Sequence, residues 1–187
     1  MSGSPPGREF PRVSDLTIRR AAPGDAAAIG RIYDEGIADG IATFATGPHD
    51  ARERREWLAA RPGRAPVWCG IVDGEVVAWS ALAPFSHRPW YDGVAEYTAY
   101  VAHGHGGRGI GGRMLDALIA EAPSFGYWKL VGMILSDNTP GLALASAAGF
   151  RVVGTHLAHG RQGGRWRDVT VVERHLALPG DHAPGDG

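Results

Sequence analysis

The stretch from Glu96 to Leu115 reads EYTAYVAHGHGGRGIGGRML and decides the fold. A run typical of a β-strand leads into a loop containing Gly106, Gly107 and Gly109, and a helix pattern follows. Because glycines remove side chains from the turn, consecutive backbone N–H groups can approach an anion there. The N-terminus of the next helix adds partial positive charge. The stretch predicts a pyrophosphate-binding loop between a strand and a helix.

Three other interpretations of the glycine loop have to be weighed. The sequence argues against the phosphate loop of nucleotide triphosphatases, because no lysine follows the glycines. The loop does match G-x-G-x-x-G, but the next predicted strand, Trp128 to Leu135, is followed by Ser136 and not by the acidic residue of a dinucleotide fold. The third is chance, since 28 glycines among 187 residues is about twice the usual ~7%. The surrounding segments must therefore decide.

Those segments resemble the GNAT superfamily of N-acetyltransferases, whose acetyl-CoA loop follows the pattern [QR]-x-x-G-x-[GA]. In this chain the pattern falls on Gly106 to Gly111. Gly109 and Gly111 fit its last two defined positions, and Gly106 replaces the glutamine or arginine of the first. More narrowly, the chain resembles the phosphinothricin and methionine sulfoximine acetyltransferase branch over about Leu16 to Leu178. The residues that carry this likeness are Thr43–Phe44, Arg88–Asp92, Ala95–Glu96, Tyr100–Val101, Asn138–Pro140, Ala148–Phe150 and Gly164–Val169.

The resemblance implies an α/β fold of the GNAT type. It has a mixed, mostly antiparallel, twisted sheet with helices on both faces, and strands 4 and 5 splay apart. Residues 16–178 are predicted to form a single N-acetyltransferase domain. Residues 1–15 and 179–187 are rich in Gly, Pro, Ser and Asp, which is typical of disordered tails.

Local patterns predict several features of this domain. Asp25 is predicted to cap a helix from Ala26 to Ala38, and a second helix runs from about Asp50 to Ala60. The arginines of the second helix, which are Arg52, Arg54 and Arg55, are predicted to form a solvated face. The pair Asp73–Gly74 between two apolar runs predicts a type I′ hairpin turn.

Composition excludes several classes of partner. The formal net charge of -1 gives no basic field for nucleic acid or an anionic membrane. Cys69 is the single cysteine and lies in an apolar run, so a buried, inert thiol in a reducing cytoplasm is predicted. No apolar stretch reaches the roughly 18 residues of a membrane span. The histidine pairs His103–His105 and His156–His159 lack cysteine or carboxylate company, so no metal site is predicted.

The resemblance also implies how acetyl-CoA is bound. The gap between strands 4 and 5 takes the pantetheine arm, and the glycine loop takes the pyrophosphate. The residues so assigned are Ala99, Tyr100 and Val101 on strand 4, Gly107, Arg108, Gly109, Ile110, Gly111 and Gly112 in the loop, and Asn138 after strand 5. Asn138 can equally cap the helix that begins near Pro140, and both roles are compatible.

Acetyl transfer to an amine needs a base for the amine and a polarised thioester carbonyl. Family likeness places Glu96 in the cleft as the base, where burial should raise its pKa. The alternative for Glu96 is a salt bridge with an arginine. The N–H of Val101 is suited to the developing oxyanion. Ala145 stands where many GNAT enzymes have a tyrosine, and the phosphinothricin branch a histidine, so either water protonates the leaving thiolate or that role has moved.

The acceptor implied by the resemblance is a small amino acid of the phosphinothricin or methionine sulfoximine type. Arg88 is predicted to pair with its carboxylate, and Phe44, Tyr97 and Trp166 to line its pocket. The family also implies a homodimer. A rival function is a catalytically weak acyl-CoA-binding module, which Gly106, Gly141 and Ala145 favour because the family has functional side chains at those positions.

Overall fold

The computed structural model describes residues 15–48 and 50–176, and the tails predicted from the sequence lie outside that range apart from Asp15. The described residues form a seven-stranded sheet and four α-helices. In chain order they are β1 Thr17–Arg20, α1 Ala26–Asp39, α2 Ala51–Ala59, β2 Val67–Val72, β3 Glu75–Pro84, β4 Val94–Val101, α3 Ile110–Glu121, β5 Lys129–Leu135, α4 Thr139–Ala147, β6 Arg151–Gln162 and β7 Arg165–His175. None of the helices in this range is long and apolar enough to cross a membrane.

The strands are ordered β1-β2-β3-β4-β5-β7-β6 across the sheet. Every neighbouring pair is antiparallel except β4 and β5, which are parallel. A parallel pair needs a crossover connection, and α3 provides it. The predicted mixed, mostly antiparallel sheet is therefore confirmed.

Two apolar layers cover the two faces of the sheet, because side chains alternate along each strand. One layer packs α3 and α4 on the sheet through buried residues such as Leu115, Leu118 and Leu130. The other packs α1 through Ile29 and Ile32. Cys69 belongs to this second layer, and its burial raises the pKa of the thiol to about 12. The prediction of a buried thiol is confirmed.

Turn and cap residues behave largely as their chemistry predicts. Asp73 and Gly74 have φ of 51° and 81°, as a type I′ turn requires. Asp50 caps α2, with its carboxylate accepting from the N–H of Glu53 at 2.7 Å. Asp25 precedes α1 as predicted, but it makes no side-chain cap. A short 3₁₀ turn comes before this helix, so its carboxylate binds the guanidinium of Arg19 at 2.7 Å.

The sheet opens between β4 and β5, and this opening positions the site. The two strands pair over only three positions, the last being Glu96 with Val131. One residue further on, the ring of Tyr97 lies over Gly132, where a Cβ would come within 2.5 Å of it. Glycine at this position of β5 therefore leaves room for the Tyr97 ring beside the opening.

Candidate active site

The hydrogen bonds of β4 determine which backbone groups face the opening. Ala102 N donates to Val77 O at 2.8 Å, and Phe85 N donates to Val94 O at 3.0 Å, so the even-numbered residues of β4 bond to β3. The odd-numbered residues consequently turn their N–H and C=O groups toward β5. Beyond the last β4–β5 pair, these are the groups of Ala99 and Val101.

Ala99, Tyr100 and Val101 were predicted to bind the cofactor together, but the backbone of Tyr100 faces β3 and not the opening. It pairs with Trp79 of β3, so its backbone groups are used within the sheet. Its side chain lies on the α1 face, where the ring stacks on Trp79 at 4.9 Å and the hydroxyl donates to Ala42 O at 3.2 Å. Tyr100 therefore reaches the cavity with its side chain and not with its backbone.

The glycine loop presents a row of free donors at the start of α3. Gly107 and Gly109 have φ of 72° and 79°, a conformation that favours glycine. Arg113 N donates to Gly109 O at 3.1 Å at the start of the helix. Within the described part of the chain, the N–H groups of residues 106–112 have no acceptor. This is the arrangement in which helix N-termini bind phosphate.

A cavity of about 810 Å³ passes through the opening in the sheet. Glu96 lies on its wall, half-buried, and burial raises the pKa of its carboxyl group. The salt bridge considered as an alternative is absent: among residues 15–48 and 50–176, Glu96 has neither an ion pair nor a side-chain hydrogen bond. An unpaired carboxylate with a raised pKa is suited to taking up a proton.

On the β5 side, Asn138 lines the cavity and caps α4. Its Oδ1 accepts from Gly141 N at 2.9 Å, and a Cβ on Gly141 would come within 2.8 Å of the Asn138 amide. Ala145, one α4 turn further, is completely buried in the apolar layer and is not on the cavity wall. α4 therefore offers no proton donor at the position where the family has one.

The segment after α1 closes the opposite side of the cavity. Thr43 is held from two directions, since its Oγ1 lies 2.9 Å from the Tyr33 hydroxyl and its carbonyl accepts from Gln162 Nε2 at 2.7 Å. Phe44 follows, and its ring packs on Gly160 of β6, where a Cβ would come within 2.6 Å. Phe44 thus lies on the cavity wall, as predicted for an acceptor pocket.

Comparison with known proteins identifies the family of this chain. Residues 31–150 match the acetyltransferase (GNAT) family. The chain belongs to this family. It is 32% identical to a phosphinothricin N-acetyltransferase of Streptomyces coelicolor, covering 89% of this chain and all of the relative. It is 30% identical to an L-methionine sulfoximine/L-methionine sulfone acetyltransferase of Salmonella typhimurium, covering 91% and 99%.

A solved structure supports the same assignment. It is an acetyltransferase from Salmonella typhimurium with its cofactor acetyl-CoA, 30% identical, with a TM-score of 0.84. The match covers 92% of this chain and 99% of that one. The GNAT fold expected from the sequence is thereby confirmed, and the chain is an acetyltransferase.

Three of the residues predicted to bind the acceptor in this GNAT acetyltransferase lie either outside the cavity wall or on the opposite face of the sheet from the Glu96 side chain. Arg88 precedes β4 in an exposed turn outside the cavity wall. Trp166 is 63% exposed, and the Arg161 guanidinium lies 5.1 Å from its ring centre. Tyr97 does line the cavity, but it points to the α4 face and packs on Phe150 at 4.7 Å. Only Phe44 shares the α1 side with Glu96.

The prediction that Arg54 is solvated is wrong. Arg54 is only 6% exposed, and its guanidinium lies 4.1 Å from the ring centre of Tyr33. Arg61, which the sequence did not single out, also lies on the cavity wall. The missed signal is spacing: Arg54, Trp57, Leu58 and Arg61 follow the i, i+3, i+4, i+7 pattern of a helix face that packs on the core.

Proposed function

We propose that this chain transfers the acetyl group of acetyl-CoA to the amino group of a small, amino acid-like acceptor. The observation that carries the proposal is the opening beside β4. It joins unpaired backbone donors on one side to an unpaired, half-buried carboxylate on the other. The relatives named for phosphinothricin and methionine sulfoximine support the acceptor class.

The residues present suit acetyl-CoA. The N–H groups of residues 106–112 are free to bind its pyrophosphate, and Ala99 and Val101 offer β-type hydrogen bonds to its pantetheine arm. Acetyl-CoA supplies an activated thioester. The N–H of Val101 is directed into the opening and is proposed to donate to the thioester carbonyl oxygen as negative charge develops there. Asn138 is proposed to contact the cofactor through its amide NH₂ group.

Glu96 is proposed to act as the general base. An amino acid acceptor arrives as an ammonium ion, which cannot attack a carbonyl until it loses a proton. The Glu96 carboxylate takes that proton directly or through water, and its raised pKa brings its proton affinity closer to that of the amine. Phe44 and the side chain of Tyr100 bound the space in which the acceptor lies.

A second candidate is a catalytically weak acyl-CoA-binding module, and the burial of Ala145 favours it because α4 offers no acid for the leaving thiolate. Release of free CoA with methionine sulfoximine, phosphinothricin and simple amines separates the two. We expect saturable release with at least one amino acid. Binding of acetyl-CoA without acceptor-dependent release would contradict the transferase and support the module.

We also propose that the enzyme is a cytoplasmic homodimer that pairs through β6. This strand is an edge of the sheet, and its Val152, Val153 and Leu157 are 60%, 51% and 76% exposed. A long, apolar edge strand readily pairs with another chain, and most homo-oligomers are twofold dimers. A second copy therefore suits this surface.

We expect Leu157→Asp to weaken the dimer at least tenfold, because it places a charge in the centre of the proposed contact. Light scattering after size exclusion should give about twice the 19.8 kDa chain mass for the wild type and a lower mass for the variant. Phe85→Asp, at an exposed position beyond β3, should remain dimeric. A monomeric wild type at micromolar concentration would contradict the proposal.

A further inference from the structure

Two arginines occupy the cavity wall on the α1 and α2 side. Arg54 belongs to α2, and Arg61 follows the helix by two residues. Both stack on Trp57, with guanidinium carbons 5.6 Å and 4.6 Å from its ring centre. Arg54 also stacks on Tyr33, and Arg61 bonds to the carbonyl of Leu82 on β3. The two cations therefore share one aromatic wall.

Neither guanidinium has a carboxylate partner among residues 15–48 and 50–176. The Nε and Nη2 atoms of Arg54 are buried without any hydrogen-bond partner. Arg61 donates from Nε to Ala65 O at 2.7 Å and from Nη2 to Leu82 O, and both acceptors are neutral. Burial lowers the pKa of Arg61, which reflects the cost of keeping the charge there.

Two other arginines of the fold do pair with carboxylates. Arg19 binds the carboxylate of Asp25 at 2.7 Å, and Arg167 binds that of Asp137 at 2.6 Å. Buried charges are normally paired, because an uncompensated one loses its hydration. Stacking on Tyr33 and Trp57 offsets only part of that loss at Arg54. Two cations on the wall of one cavity, neither with a carboxylate partner, indicate that an anion comes with the substrate.

We propose that Arg54 and Arg61 form the subsite for the acceptor's carboxylate. The inference rests on the proposed acetyl transfer and deepens it. Arg61 bonds to Leu82 O, and the next residue of β3, Ala83, is the cross-strand partner of Glu96. A zwitterion that places its carboxylate on these guanidinium groups can direct its ammonium toward Glu96. Planar N–H donors match a carboxylate, and their charge repels acceptors that are purely cationic.

The test compares methionine sulfoximine with its carboxamide, which keeps the amine and removes the anion. We expect the wild type to prefer the carboxylate form at least tenfold in kcat/KM. Arg54→Met and Arg61→Met should each reduce kcat/KM for the carboxylate form at least tenfold, chiefly through KM. Both variants should act on the carboxamide within about twofold of wild type, with an unchanged KM for acetyl-CoA. Arg55→Met, exposed on the same helix, is the matched control.

The outcomes separate the two proposals. No turnover of any amine by the wild type would overturn acetyl transfer itself. Equal turnover of the carboxylate and carboxamide forms would overturn the subsite alone, and this comparison needs no variant. If Arg88→Met lost the preference for the carboxylate form while the Arg54 and Arg61 variants both kept it, the carboxylate would be assigned to Arg88 instead. Circular dichroism of each variant establishes that it is folded, and Arg54→Lys, which keeps the charge, should lose less than Arg54→Met.

Discussion

Glu96→Gln is expected to lower turnover by at least tenfold while acetyl-CoA affinity stays nearly constant. Glutamine keeps the shape of the side chain but cannot take a proton from the acceptor's ammonium. General-base assistance is typically worth about 10²- to 10⁴-fold. The measurement is steady-state CoA release together with calorimetry of acetyl-CoA binding. Glu75→Gln, which changes an exposed glutamate at the start of β3, is the control and should retain wild-type turnover.

The pH dependence provides an independent check on Glu96. Burial raises the pKa of this carboxyl in the folded enzyme, so the base is lost as the pH falls through that raised value. We expect wild-type kcat/KM to fall on that acidic limb and the limb to be absent in Glu96→Gln. Wild-type rates in the variant between about pH 6 and 9 would show that Glu96 is structural.

The raised pKa of Glu96 also affects the stability of the fold, which decreases as the carboxyl group ionises. A carboxyl whose pKa is higher in the folded than in the unfolded state binds protons more tightly when folded, so its ionisation destabilises the fold as the pH rises. Glutamine removes that cost. The Tm of Glu96→Gln at neutral pH should therefore equal or exceed that of the wild type, a pattern typical of active-site residues retained for function.

The sequence could predict features that depend on a few adjacent residues. The turn at Asp73–Gly74 needs two residues with positive φ, and the loop from Gly106 needs only glycines before a helix. Resemblance to the family extended this to the mixed, mostly antiparallel sheet and the opening between strands 4 and 5. These predictions succeeded because the chemistry of the backbone is local, or because the family likeness included the whole topology.

Features that depend on packing between distant segments were not predictable in the same way. Gly132 reads as an ordinary strand residue, and only the ring of Tyr97 explains why it lacks a side chain. Arg54 lies in a charged run, and the composition of that run indicates exposure to solvent. The spacing of Arg54 nevertheless matches the buried face of the helix. The family has its acid at the position of Ala145, and only the structure shows that the packing of α4 places this residue in the core. Whether a charge faces solvent or a cavity depends on what packs against it.

Gly109→Val is expected to weaken acetyl-CoA binding at least tenfold. Gly109 precedes α3 with φ of 79°, a conformation that a β-branched residue adopts only with strain. Relief of that strain would rotate the peptide groups around it and turn N–H groups away from the pyrophosphate. If the backbone does not move, the new side chain still stands beside the loop where the anion approaches. Both responses reduce affinity, which calorimetry measures directly.

Strain alone must be separated from loss of the anion site, and Gly74→Val does this. Gly74 has φ of 81° in the β2–β3 turn, with no atom within 4 Å of an added Cβ. Both substitutions should therefore destabilise the fold by about 1–3 kcal/mol through the same backbone strain. Only Gly109→Val should also weaken acetyl-CoA binding, because only that glycine lies within the row of free N–H groups at the start of α3. A folded Gly109→Val protein with wild-type affinity would mean that the pyrophosphate lies elsewhere, and the row of unpaired donors would need another explanation.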